Sequence, residues 1–222
     1  MPQHLKLTPE AAAAEIAQRA LVMASEKGRR VLIGIAGGPG TGKSTLAEDA
    51  IGILNRQVDG AAAVVPMDGF HMLQAKLERQ DLAALKGAPQ TFEAEAFVSL
   101  LERLKTARGS IPVPAYSRRI EDVVPDAFEI DGNVPILMIE GNYLLLDQPP
   151  WDRIPPLLDM SFFIDVPADV VRNRLTERHA RHGLFSEERN KRHIEDVDMV
   201  NYETVRASGP RADVQIEIDS HI

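Results

Sequence analysis

Apolar positions along the chain follow two alternating rhythms. Short continuous apolar runs occupy residues 31–36, 61–67, 134–139, 161–166 and 212–218. Runs of that length, rich in Val and Ile, read as strands buried on both faces. Between them the apolar residues recur every three or four positions, the period of a helix with one buried stripe. Such a helix is expected over 10–26, opened by the cap-and-first-turn pair Thr8-Pro9 and ended by Gly28. Another follows residue 44, and a third covers 72–85 until Gly87-Ala88-Pro89 breaks the pattern. Residues 93–106 place Phe97, Leu100, Leu101 and Leu104 on one apolar face. An arginine-rich helix covers 169–181 and is broken by Gly183; Ser186 caps a last one, reaching about Ala207, with Arg189 and Asn190 on its polar side. Residues 111–131 read as two extended pieces around the charged turn 117–122.

Strands alternating with helices imply an α/β fold: one mainly parallel sheet flanked by helices, in a single domain. In such sheets ligands bind beyond the carboxyl ends of the strands. Chemically loaded residues stand at three of those ends. Gly37-Gly38-Pro39-Gly40-Thr41-Gly42-Lys43-Ser44 follows the first run and fits the phosphate-loop pattern G-x-x-x-x-G-K-S/T at every fixed position. Asp68 follows the second run and Glu140 the third.

The residue types explain what the loop can do. Glycines let successive N–H groups close around a phosphate, and the helix that follows turns its positive end on the same anion. Lys43 can reach the β/γ-phosphates, and the Ser44 hydroxyl, next to Thr45, can ligate Mg²⁺. A nucleoside triphosphate is the expected ligand. Phosphoryl transfer also needs a carboxylate for the acceptor's proton and charge neutralisation at the metal. Asp68 is the candidate base, also near Mg²⁺; Glu140 is the candidate metal-associated acid. Arg174 and Arg178 share a helix face at i and i+4 and could clamp phosphate oxygens, with Gly183 letting a lid over about 174–186 move. Arg118 and Arg119 could hold a substrate anion or simply face solvent. His71, His179, His182 and His193 show no metal-ligand spacing.

Composition narrows the partners. The 222 residues carry a net charge of −8, which argues against broad nucleic-acid binding. There is no cysteine, hence no disulfide framework. No apolar run approaches the roughly 20 residues that span a bilayer, and residues 1–10 are polar. The expectation is a soluble, cytoplasmic protein acting on a small molecule, its oligomeric state open, a homodimer included. A guanine-specifying N-K-x-D is absent, because Asn190-Lys191-Arg192-His193 lies in a helix and lacks the acid, and so is an L-S-G-G signature.

Together these residues resemble the uridine kinase, phosphoribulokinase and bacterial pantothenate kinase family of P-loop kinases. Met67-Asp68-Gly69-Phe70-His71 is similar to its D-G-F or D-S-F segment, and residues 88–93 to its P-x-A/S/T-F/Y-D segment. Pro114-Ala115-Tyr116-Ser117 is similar to its P-x-Y-S/D strand, and Ile139-Glu140-Gly141 to its metal-associated E-G segment. The resemblance implies an ATP- and Mg²⁺-dependent kinase of a hydroxyl compound, with Arg174 and Arg178 as lid arginines and Asp68, His71, Phe92, Tyr116 and Arg118 around the acceptor. The family's R-D lid ending is Arg178-His179 here, and the base-reading histidine segment of uridine kinases has no counterpart after Tyr116. Overall likeness is greatest to small bacterial proteins described as putative fructose transport system kinases. That implies a sugar such as fructose as acceptor, with nucleoside or pantothenate kinase and an accessory NTPase as alternatives.

Overall fold

The structure, a computed structural model, describes residues 2–182 and 186–219. Its elements run β1 (Gln3–Leu7), α1 (Pro9–Lys27), β2 (Val31–Ala36), α2 (Lys43–Gln57), β3 (Ala62–Pro66), α3 (Gln74–Arg79), α4 (Ala94–Thr106), β4 (Ile111–Ser117), β5 (Asp122–Ile130), β6 (Ile136–Gly141), β7 (Met160–Asp165), α5 (Ala168–His182), α6 (Glu187–His193), α7 (Met199–Arg206) and β8 (Val214–Ile218). Six strands form one parallel sheet in the order β1-β8-β7-β2-β6-β3, and β4 pairs antiparallel with β5 as a separate hairpin.

Alternate residues of each strand enter different cores. Val31, Ile33, Ile35, Ile136, Met138, Phe162 and Ile164 pack against α1, α2 and α5. Leu32, Leu137, Ile139 and Phe163 pack on the other face against α4, the hairpin and the segment carrying Tyr143 and Trp151. Apolar side chains on both faces explain why the strands read as unbroken apolar runs. β2 is buried at every position.

Three expectations need correction, and a fourth falls outside the described residues. Residues 3–7 form an edge strand, β1, where sequence pattern offered only a polar lead-in; backbone pairing to β8 from Gln3↔Val214 to Leu7↔Ile218 creates it, with Leu5 and Leu7 tucked against the core. The helix expected over 72–85 is only α3 plus a 3₁₀ turn at Ala83–Leu85, because Asp81 takes a left-handed φ of 57° between them. The helix after Ser186, whose hydroxyl accepts from the Arg189 N–H, is interrupted by a π-helical turn at Ile194–Asp198 that points Ile194, Val197 and Asp198 inward. The hinge expected at Gly183, and with it part of the lid over 174–186, lies outside the described residues.

Candidate functional site

β2 delivers the phosphate loop at its carboxyl end, and α2 opens at Lys43 behind it. Gly40 and Gly42 hold left-handed φ of 76° and 87°, which glycine adopts without strain. A Cβ on Gly37 would lie 2.7 Å from Thr41 Oγ1, and one on Gly38 2.9 Å from the Tyr202 ring, so the loop is packed from behind as well as curved. The Thr41 hydroxyl donates to the Gly38 carbonyl at 2.8 Å and staples the turn. No acidic residue occupies the first turn of α2, leaving its positive end uncompensated. Lys43, 9% exposed, sits at that end. Arg174 on α5 donates to the carbonyls of Gly40 (3.4 Å) and Thr41 (3.3 Å), which ties the arginine helix to the loop.

Strand register then sets the acids beside the loop. β6 lies between β2 and β3, with Glu140 level with Ile35 on one side and Pro66 on the other. Gly37 is therefore two residues past the Glu140 level on β2, and Asp68 two residues past it on β3. Ser44 Oγ donates to Glu140 Oε2 at 3.0 Å. Burial pushes the Glu140 carboxyl up to about 7, helped by the Asp68 charge and opposed by Lys43 and the Ser44 hydrogen bond. A carboxylate so desolvated wants a cation. Ser44, Glu140 and Asp68 offer only hard oxygen donors, a set that fits Mg²⁺. Nearby, Asn142 Oδ1 is buried on the wall of the same cleft without a hydrogen-bond partner among the described residues.

The opposite wall is aromatic and basic. His71 follows the 3₁₀ turn Met67–Phe70, and its ring packs at a tilt between Phe92 (4.1 Å between centroids) and Tyr116 (4.8 Å). Burial lowers the His71 pKa, so the ring is neutral near pH 7. Nδ1 lies 2.8 Å from the Asp68 carbonyl, an acceptor, which assigns the proton to Nδ1 and leaves Nε2 to accept. The Tyr116 hydroxyl donates to Glu121 at 3.1 Å, and burial raises its pKa. Burial likewise lowers the Arg178 pKa, although Asp198 favours its charge.

The expected residues thus converge on one cleft of about 1310 Å³. Pro39, Gly40, Gly42, Lys43, Ser44 and Thr45 of the loop line it with Asp68, His71, Phe92, Tyr116, Arg118, Arg174 and Arg178, whereas Gly37, Gly38, the buried Thr41 and Arg119 do not, and Glu140 lies buried behind Ser44. Sequence reasoning missed Lys86 and Asn142; the first sits in what reads as a helix end, the second follows Glu140-Gly141 without a chemistry of its own. It also missed that His179, His193 and Asp198 meet, with ligand atoms within 4.8 Å of one another and His179 Nε2 3.0 Å from Asp198 Oδ2. Their spacing hides this because the π turn brings Asp198 round.

Residues 32–217 match the phosphoribulokinase/uridine kinase family. The chain belongs to that family. It is accordingly a small-molecule kinase that uses ATP. Among its relatives, the "Putative uridine kinase" of Schizosaccharomyces pombe is 36% identical over 196 residues, covering 85% of this chain and 83% of that protein. The pantothenate kinase of Rhizobium leguminosarum is 32% identical over 157 residues; the match covers 68% of this chain and 47% of that enzyme, so the chain spans about half its length. A solved structure from Silicibacter, titled a putative fructose transport system kinase, superposes with a TM-score of 0.82 at 30% identity, covering 94% of this chain and 98% of that one. For this family member, no helix among the described residues is long and apolar enough to cross a membrane.

Proposed function

We propose that this kinase transfers the γ-phosphoryl group of ATP to a hydroxyl of a small metabolite, with Asp68 as the general base. One observation carries the reading: Glu140 stands level between β2 and β3, so the phosphate loop and Asp68 flank it on one sheet edge. The loop amides and Lys43 bind the β/γ-phosphates. Arg174 and Arg178, on the face of α5 turned to the cleft, neutralise charge on the transferring group. As the acceptor oxygen bonds to the γ-phosphorus, Asp68 takes its proton and the bond to the bridging oxygen breaks, leaving ADP. Mg²⁺ held by Ser44, Glu140 and Asp68 would supply charge neutralisation between the β- and γ-phosphates. His71, Phe92 and Tyr116 shape the acceptor pocket, and the end of α5 from Arg174 onward belongs to the lid.

Similarity to the Silicibacter structure makes a sugar such as fructose the first acceptor to try; the curated relatives add nucleosides and pantothenate. The test is ADP release with Mg·ATP against those compounds. Release that depends on one of them, with loss in Asp68→Asn, supports the proposal. Release indifferent to every added compound sinks it in favour of an accessory NTPase.

A further inference from the structure

Lys86 makes no ion pair among the described residues, although the charges of Asp122 and Glu121 act on it. It stands half-buried at the start of the turn after the Ala83–Leu85 helix, and it lines the cleft. Its ammonium donates to the Glu121 carbonyl at 2.7 Å and to the Gln74 amide oxygen at 3.3 Å, and it lies 5.3 Å from the centre of the Tyr116 ring. Both hydrogen-bond acceptors are neutral. An ammonium has three donors, so one remains for the cleft. Carboxylates do stand nearby, but each has a donor already. Glu121 accepts from the Tyr116 hydroxyl at 3.1 Å, and Asp122 Oδ1 from the N–H groups of Val123 (2.9 Å) and Gln74 (3.4 Å).

Arg118 repeats the pattern. It is exposed at the end of β4, lines the same cleft, and makes no ion pair among the described residues. Lys86 and Arg118 both act electrostatically on the His71 ring, which places them on the acceptor side of Asp68. Lys43 and Arg174 serve the phosphate loop instead. In a chain of net charge −8, two cations that make no ion pair among the described residues and flank one aromatic wall are a local departure that points to a ligand.

We infer that the phosphoryl acceptor carries an anionic group, a carboxylate or a phosphate, which binds between Lys86 and Arg118 beside Tyr116. This rests on the kinase reading above and narrows it: the acceptor is a hydroxy acid or a sugar phosphate, not a neutral sugar or nucleoside. Loss of either cation removes a charge-assisted hydrogen bond and weakens anion binding about 10- to 100-fold.

The test separates anion binding from turnover. Inorganic phosphate and gluconate are titrated calorimetrically into protein saturated with a non-hydrolysable Mg·ATP analogue, which blocks the phosphate loop. Binding of either anion, weakened at least tenfold in Lys86→Met and in Arg118→Gln and restored in part by Lys86→Arg, supports the inference; which anion binds identifies the source of charge. Because Arg118 is exposed, its variant folds even where Lys86→Met does not. Absence of binding by both anions, or affinity unchanged in both variants, overturns it. ADP release from matched pairs, fructose against fructose 1-phosphate and sorbitol against gluconate, gives the second arm. Release with neutral members alone overturns the inference and leaves the kinase reading intact. Release independent of every compound overturns the kinase reading itself.

Discussion

Three side chains at the sheet edge have separable roles, and each predicts its own signature. Asp68→Asn keeps the size and the turn but cannot take a proton, so turnover falls roughly 10²–10⁴-fold with ATP affinity nearly unchanged. A single-turnover measurement beside a nucleotide titration checks it; full activity would remove Asp68 as the base. Lys43→Ala weakens nucleotide affinity and turnover together, since the same ammonium meets the β/γ-phosphates in both states. Glu140 predicts a pH effect of unusual sign. Its carboxyl titrates at about 7 in the fold against a usual value of 4.5. Between those values the unfolded chain is ionised and the folded one protonated, so the nucleotide-free protein loses stability as pH rises from about 4.5 to 7. Glu140→Gln imitates the protonated form. It should therefore be more stable than the parent at pH 8, on the order of 1–3 kcal/mol, with the difference vanishing near pH 4.5. Denaturant melts at the two pH values measure this, and a variant less stable at pH 8 would contradict the burial argument. Added Mg²⁺ should close the gap in the parent only.

At the scale of elements, the turn that carries Asp68 is held by backbone contact. A Cβ on Gly69 would lie 2.2 Å from the Pro114 carbonyl oxygen and 2.7 Å from its carbon, so β4 of the hairpin rests directly on this glycine. Gly69→Ala must push the hairpin, with Tyr116 and Arg118, off the turn. We expect a loss of about 1–3 kcal/mol together with a fall in kcat/KM, whereas Gly109→Ala, with nothing within 4 Å of its Cβ, changes neither. Matched melts and kinetics decide; an unaffected Gly69→Ala would show that the hairpin yields freely. The phosphate loop, Asp68 and Glu140 were legible because each follows an apolar run whose two buried faces leave no ambiguity of type. The hairpin was legible from its charged turn at 117–122. β1 was not, since an edge strand with alternating exposure owes its existence to β8. Nor was Lys86, whose meaning depends on Glu121 and Gln74 being brought to it from distant and near sequence alike.

On the scale of the whole molecule, the sheet has a chemical edge and a structural edge, and they can be perturbed separately. Loop, Asp68 and Glu140 crowd the carboxyl ends of β2, β3 and β6. At the opposite end, Asp159 precedes β7 and gathers Lys27 from the end of α1 (2.7 Å), Arg29 (2.7 Å) and the Leu32 N–H (3.0 Å). Its side chain is 2% exposed. Burial alone would raise its pKa, but hydrogen bonds from Arg29, Lys27 and Leu32 outweigh that and lower it to about 2. A depressed carboxyl stabilises the fold above its unfolded value of 3.8, and that contribution disappears as pH falls through about 2. The shift corresponds to about 2 kcal/mol, reduced to about 1–2 kcal/mol because Arg29 and Lys27 are themselves partly in water. Asp159→Asn should therefore cost that much at pH 7, cost little near pH 2, and leave kcat and the KM for ATP unchanged at 25 °C, since the site lies at the other end of the same strands. Urea melts of parent and variant at both pH values, with kinetics on the folded enzyme, test both halves. A stability gap that ignores pH would remove the ion cluster as its cause, and altered kinetics would mean that the two ends of the sheet are coupled through β2.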